Sequence, residues 1–186
     1  MAVFQMTSLV ASLTAEMEMV NRQAPPEISS FDPAKMLHDL VGYYKKIGLT
    51  VRFNEHIDDL PDRVTGDPKL LKCAFSNLIS NAIKYSPEGS RIEISGKTDD
   101  GVIAIGIADH GIGIPQNELN RIGERFYRAS NTGSIPGTGV GLSLVQQIVE
   151  EHGGKISIAS AQGEGTRIVV LLPIGNPAET RTMIHA

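Results

Sequence analysis

Asn77-Leu-Ile-Ser-Asn81-Ala-Ile-Lys84-Tyr85 is the stretch that decides how the rest of this 186-residue chain is read. At 100° per residue, Asn77, Asn81 and Lys84 fall within one narrow face of a helix, while Leu71, Phe75, Leu78, Ile79 and Ala82 fall on the opposite face. The apolar face is made for a core and the amide face is left for a ligand. Carboxamide oxygens suit a hard, oxygen-seeking ion such as Mg²⁺, which keeps several waters and binds together with a substrate's phosphates. A lysine one turn further on meets phosphate as a point charge. Taken alone, two asparagines on a solvated helix face are the commoner reading, so the stretch has to be weighed with its surroundings.

Working outward, Asp67-Pro68 places an N-cap carboxylate and an N1 proline at the start of that helix, and Ser86-Pro87-Glu-Gly89 turns the chain after Tyr85. Upstream, Ile28 to Phe31 reads as a short strand and Asp32-Pro33 opens a second helix that runs to about Lys46 and stops at Gly48. Leu49, Val51 and Phe53 then alternate with polar residues, the period of a half-buried strand. Downstream, strands near Ile92 to Ile94 and Val102 to Ala108 flank a tight Asp99-Asp100-Gly101 turn. The segment from about Pro115 to Pro136 is expected to hold a short helix and a polar loop, a length that is usually functional or mobile. Leu142 to Glu151 reads as a helix stopped by Gly153-Gly154, and Ile156 to Ala159 with Thr166 to Leu172 as a closing hairpin. Hairpins grouped with helices, without strict alternation, point to an α+β two-layer sandwich.

Met6, Val10, Leu13, Met17 and Val20 recur on one seam of a further helix, which either pairs with a second copy or folds onto its own domain. Ala24-Pro25-Pro26 must end it. The expected division is residues 1–26 as helix and linker, 27–175 as one domain, and 176–186 as a disordered tail.

Composition excludes several classes. A formal charge of −4 with scattered Lys and Arg argues against tracking along nucleic acid. The single cysteine, Cys73, makes no internal disulfide, and no Cys/His spacing fits zinc. No stretch approaches the ~18 to 20 apolar residues of a membrane span. A cytoplasmic domain without membrane contact of its own is expected, and a membrane anchor elsewhere in a longer protein stays open.

Three blocks follow the first stretch, the first and last of them glycine-bearing: Asp109-His-Gly111-Ile-Gly113, Glu124-Arg-Phe126-Tyr-Arg128 and Gly137-Thr-Gly139-Val-Gly141-Leu142. The first ends an apolar strand where the backbone can bend sharply, although an Asx-turn is the ordinary reading of such an aspartate. The last precedes a helix, so bare backbone N–H groups and the positive helix end can approach an anion. It is not a Walker A loop, because no Gly-Lys-Ser/Thr follows.

The four blocks, in this order, resemble the N, G1, F and G2 boxes of the catalytic ATP-binding domain of bacterial sensor histidine kinases, over about Ser29 to Pro173. The resemblance implies a Bergerat-type fold, a mixed sheet with helices on one face and ATP between them, with ATP and Mg²⁺ as cofactors. It implies Asn81 as the principal Mg²⁺ ligand with Asn77 assisting, Lys84 near the phosphates and Tyr85 against the adenine. Asp109 would accept from the adenine amine, with Gly111, Gly113 and Ile114 in the same loop and Thr166 nearby. Gly137, Thr138, Gly139, Val140, Gly141 and Leu142 would cradle phosphate under a lid that Phe126 and Tyr127 anchor by packing, and Arg128 would reach phosphate. Gly123 stands where the family commonly has an aromatic or aliphatic residue, which implies looser lid packing.

Related folds serve hydrolases and chaperones, so the fold alone does not choose the chemistry. The hydrolytic relatives, and the related serine kinases, carry a glutamate base four residues before the Mg²⁺-binding asparagine. That place is Asn77 here, an amide with no basic lone pair, which favours transfer to a histidine already nucleophilic as neutral imidazole. None of the five histidines fits the family's acceptor motif; His38-Asp39-Leu40 matches only its opening. The implied partners are a dimerisation domain carrying the acceptor, a response regulator, and a second copy through the N-terminal helix. An ATP hydrolase or a degenerate ATP-sensing scaffold remain the alternatives.

Overall fold

The computed structural model describes residues 25–47 and 51–175. The Met6 to Val20 seam, the stop at Gly48 and the tail from Pro177 lie outside the described residues. In chain order the elements are β1 (Ser29–Phe31), α1 (Pro33–Lys46), β2 (Arg52–His56), β3 (Val64–Gly66), α2 (Pro68–Tyr85), β4 (Arg91–Asp99), β5 (Val102–Asp109), α3 (Gly141–Glu151), β6 (Lys155–Ala161) and β7 (Gly165–Pro173).

Both Asp-Pro pairs cap their helices. The Asp32 carboxylate accepts from Lys35 N at 2.8 Å, and Asp67 Oδ1 accepts from Lys69 N at 3.0 Å and Leu70 N at 3.1 Å. Tyr44 ties α1 to α2 by donating to the Ser76 carbonyl at 3.1 Å, and burial pushes its phenol above the usual range.

Five strands form one sheet in the order β2-β4-β5-β7-β6, in which β2 pairs parallel with β4 and all other neighbours are antiparallel. The β4–β5 hairpin turns through Asp100 (φ 42°) and Gly101 (φ 76°), the two positive φ values that a tight two-residue turn needs. Alternate residues Ile92 and Ile94 of β4, Ile103, Ile105 and Ile107 of β5, and Val170 and Leu172 of β7 are buried in one core with the apolar faces of the helices. Leu71, Phe75, Leu78 and Ile79 of α2 and Leu144, Val145 and Ile148 of α3 supply the helical side. Each such side chain contributes about 1.5–3 kcal/mol on full burial. The result is the mixed sheet and helical layer of an α+β sandwich.

Within that core His152, 1% exposed, joins the end of α3 to the start of α2. Its Nε2 accepts the Asp67 N–H at 2.9 Å while Nδ1 meets the Ile148 carbonyl at 2.7 Å. An amide N–H only donates and a carbonyl only accepts, so the ring is held as the neutral Nδ1–H tautomer. The two helices that frame the site are thereby locked together at their far ends.

Three features differ from the expectations. β3 pairs with β1 as a separate two-stranded ribbon, Ser29 opposite Gly66 and Phe31 opposite Val64; three residues are too few to show a period. β2 starts at Arg52 and runs on to His56. Between Pro115 and Pro136 there is no α-helix, only the 3₁₀ turns Gln116–Glu118 and Ser130–Thr132, because glycines and side-chain hydrogen bonds shape that segment instead of a helical ladder.

Candidate functional site

A cavity of about 340 Å³ opens between α2, the end of β5, the start of β7 and the segment leading into α3. It collects the amide face of α2, with Asn77, Asn81, Lys84 and Tyr85 all lining it.

At one end, Asp109 closes β5. Its Oδ1 accepts from Gly111 N at 2.8 Å and Thr166 N at 3.3 Å, leaving Oδ2 without a protein partner. The Asx-turn reading of this aspartate holds through Oδ1, and its second oxygen is left available. Burial raises the carboxyl above its usual range in spite of the two backbone bonds. The loop after it is fitted backbone against backbone. A Cβ on Gly113 (φ 61°) would lie 1.9 Å from the Ala161 carbonyl oxygen, and one on Gly165 (φ 96°) 2.0 Å from that of Asp109. No side chain fits either place. Ile114, Gly113 and Thr166 line the cavity, whereas Gly111 only shapes the turn.

At the other end, Asn77, 8% exposed, donates through Nδ2 to the Cys73 carbonyl at 3.0 Å. Its Oδ1 lies 3.2 Å from the point where Gly141 would carry a Cβ, so it faces the start of α3. Lys84 Nζ sits 4.4 Å above the Tyr85 ring and 2.4 Å from the Cβ that Gly137 lacks. Unlike the starts of α1 and α2, the start of α3 has no side-chain cap. Gly137, Thr138, Gly139, Gly141 and Leu142 line the cavity there; Val140, 1% exposed, belongs to the core beneath it.

The segment between these ends folds over as a lid. Glu118, which nothing in the sequence singles out, is its anchor: the carboxylate accepts from Tyr127 OH at 2.8 Å, from Ser130 N at 2.8 Å and from the Ser130 hydroxyl. The Ser130 hydroxyl and N–H, with the Tyr127 hydroxyl, hold that carboxyl below the usual glutamate range. Arg121 stacks 4.2 Å from the Tyr127 ring, and Asn131 Nδ2 donates to the Gly113 carbonyl at 2.8 Å, tying the lid to the opposite end of the cavity.

Two expectations about the lid are corrected. Tyr127 anchors it, but Phe126 does not pack; it is 73% exposed at φ 66°, because its N–H must turn back to the Gly139 carbonyl at 3.0 Å. Nor does Gly123 leave a gap, since the Gln146 carboxamide lies 2.4 to 2.8 Å from where its Cβ would be. Arg128 lines the cavity, yet its guanidinium is bonded to Thr132 Oγ1 at 3.3 Å and to the Ile135 carbonyl. His38 stands apart on α1, paired through Nδ1 with Glu55 at 2.8 Å.

Among the described residues no cluster of three His, Cys, Asp or Glu side chains could hold a metal ion. The oxygen donors of Asn77 and Asn81 fit instead an ion that keeps its waters and arrives with phosphate.

Residues 66–176 match the family described as histidine kinase-, DNA gyrase B-, and HSP90-like ATPase. The chain belongs to that family. Its relatives lie on the sensor histidine kinase side. It is 39% identical to sensor histidine kinase WalK of Bacillus subtilis over 64% of this chain and 21% of WalK. It is 31% identical to sensor-like histidine kinase SenX3 of Mycolicibacterium smegmatis over 91% of this chain and 45% of SenX3. The chain thus spans less than half the length of these relatives. Among solved structures, a mycobacterial sensor histidine kinase, MprB, superposes with a TM-score of 0.71 at 31% identity, covering 78% of this chain and 97% of that one. The nucleotide-free catalytic domain of histidine kinase ThkA superposes at 0.70 with 26% identity, over 82% of this chain and 99% of that one. The described residues are therefore an ATP-binding catalytic domain of the histidine kinase kind, and none of their helices is long and apolar enough to cross a membrane.

Proposed function

We propose that this domain binds ATP with Mg²⁺ and donates the γ-phosphoryl group to a histidine carried by a dimerisation domain, from which a response regulator is served. The observation that carries the choice of chemistry is the cavity's charge pattern. Among the described residues Asp109 is the only carboxylate lining it, and it sits at the end away from Asn81, Lys84 and the start of α3. Where water would have to be activated for hydrolysis stands Asn77, whose Nδ2 is engaged with the Cys73 carbonyl. A cavity with no base at its phosphate end suits positioning and charge neutralisation more than hydrolysis.

In this reading Asp109 Oδ2 accepts from the adenine amine, and Thr166, Gly113 and Ile114 bound the base. Lys84 and the uncapped backbone of Gly137 to Leu142 take the phosphates. Asn81, with Asn77 Oδ1 beside it, would hold the Mg²⁺, which supplies neutralisation of the triphosphate's charge. Arg128 reaches phosphate only after releasing the Ile135 carbonyl, so its part depends on lid movement. The Met6 to Val20 seam is proposed as the end of the dimerisation hairpin, and a cytoplasmic setting follows from the kinase reading.

Isothermal titration with a non-hydrolysable ATP analogue, with and without Mg²⁺, tests the reading. Saturable binding is expected that weakens without Mg²⁺ and in Asn81→Ala and Asp109→Asn; no binding by the wild-type chain would sink it. Supplying a histidine-bearing dimerisation domain in trans should then yield acid-labile phosphohistidine on that domain.

A further inference from the structure

Asp109, Thr166 and Ser160 stand side by side on three neighbouring strands, Asp109 opposite Thr166 across β5–β7 and Thr166 opposite Ser160 across β7–β6. Only the first two line the cavity. Ser160 makes three contacts through a single hydroxyl: Oγ donates to the Gly165 carbonyl at 2.7 Å, accepts from Ile114 N at 2.9 Å, and lies 2.9 Å from Thr166 Oγ1. A hydroxyl has one proton and two lone pairs. The proton is committed to Gly165, whose carbonyl can only accept, and one lone pair to Ile114, whose N–H can only donate. The bond between the two hydroxyls therefore runs one way, with Thr166 donating and Ser160 accepting. Thr166 is left with its lone pairs alone for whatever enters the cavity.

We infer that Ser160 is a specificity-determining residue of the base site, holding the Thr166 hydroxyl as an obligate acceptor. The row then offers a ligand two acceptors, Thr166 Oγ1 and Asp109 Oδ2, and no donor from either side chain. It rewards a base edge that donates to it directly, as the 6-amino group of adenine can, and penalises a 6-oxo group in direct contact, whose oxygen would face acceptors only. Discrimination of this kind is strong because a mismatch leaves buried polar atoms unpaired. Ser160 also pins Ile114, so the loop after Asp109 and the orientation of Thr166 are set by the same oxygen. This inference rests on the nucleotide reading above and says which purine that site selects, and by what.

The test is equilibrium binding of ADP and of inosine diphosphate, each with Mg²⁺, to the wild-type chain, Ser160→Ala and Thr166→Val. The wild type is expected to prefer ADP. In Ser160→Ala the Thr166 hydroxyl is free to turn and donate, so the ADP-to-inosine-diphosphate ratio should fall about five- to tenfold beyond any common loss of affinity. Thr166→Val, which keeps the Ser160 bonds to Gly165 and Ile114, should lower the ratio similarly, and the double variant should lower it no further. An unchanged ratio in folded Ser160→Ala overturns the inference while leaving the nucleotide site standing. Should Ser160→Ala fail to fold, an unchanged ratio in Thr166→Val overturns it equally. Failure of the wild type to bind either nucleotide would instead remove the nucleotide reading itself.

Discussion

The two ends of the cavity are built by different means. The Asp109 end is a row of paired strands closed by backbone contacts so tight that Gly113 and Gly165 admit no Cβ. The lid is held largely by side chains, the Glu118 carboxylate with Tyr127 and Ser130 and the Asn131 ties to Ile112 and Gly113, and it keeps Phe126 exposed at positive φ. Backbone pairing within a sheet opens only with the sheet, whereas a few side-chain bonds open locally at low free energy. In the proposed nucleotide reading, the base would therefore sit against the part expected to open last, under a lid expected to open first.

The sharpest way to break this contrast is a matched pair of alanines. Gly113→Ala should cost about 3 kcal/mol or more in urea unfolding and abolish nucleotide binding, since the Ala161 carbonyl must be displaced. Gly133→Ala in the lid, also at positive φ but with nothing within 4 Å of its Cβ, should cost less, about 1–3 kcal/mol, and leave nucleotide binding in place. Equal losses would remove the distinction.

Next in size is Asp109→Asn, expected to weaken an ATP analogue about a hundredfold while leaving the fold intact or firmer. The carboxyl's folded pKa lies above its ordinary value of 3.8 because of burial, so its stabilising share is present at low pH and lost as pH rises through the folded value. Thermal melts should show the variant gaining on the wild type as pH climbs from about 4 and levelling off thereafter. A variant that melts lower at neutral pH would contradict the half-buried carboxylate whose Oδ2 has no protein partner.

Glu118→Gln should act on the lid alone. Hydrogen exchange of residues 118–131 is expected to quicken about tenfold while the β5 and β7 amides stay unchanged. The Glu118 carboxyl is held below its ordinary value of 4.5, so its contribution is present above that pH and lost as pH falls through the folded value. Acidification below about pH 4 should therefore free the lid before the sheet. The smallest effect is expected of Phe126→Gly, where relief of the positive φ and the entropy of glycine nearly cancel, within about 1 kcal/mol in a thermal melt.

Much of this was legible in the chain. Asp32-Pro33 and Asp67-Pro68 announce helices because capping is local chemistry, and the alternating isoleucines of β5 announce a strand because its period is two. The amide face of α2 was legible for the same reason, Asn77, Asn81 and Lys84 being neighbours at helical spacing. β3 was not, its few residues being paired only through β1. Glu118 and Ser160 were not, because a glutamate in a polar loop and a serine in an edge strand look solvated until Tyr127, Ser130, Ile114 and Thr166 are brought to them from elsewhere in the chain.

The two-layer class, the helix starts and the residue types at both ends of the cavity are fixed locally along the chain, since periodicity, caps and glycines act over a turn or a strand. The orientation of those groups is set by the fold. The proton on His152, the unpaired oxygen of Asp109, the direction of the Thr166 hydroxyl and the exposure of Phe126 each depend on a partner distant in sequence, and a hydrogen bond acquires its direction only when both of its ends are in place.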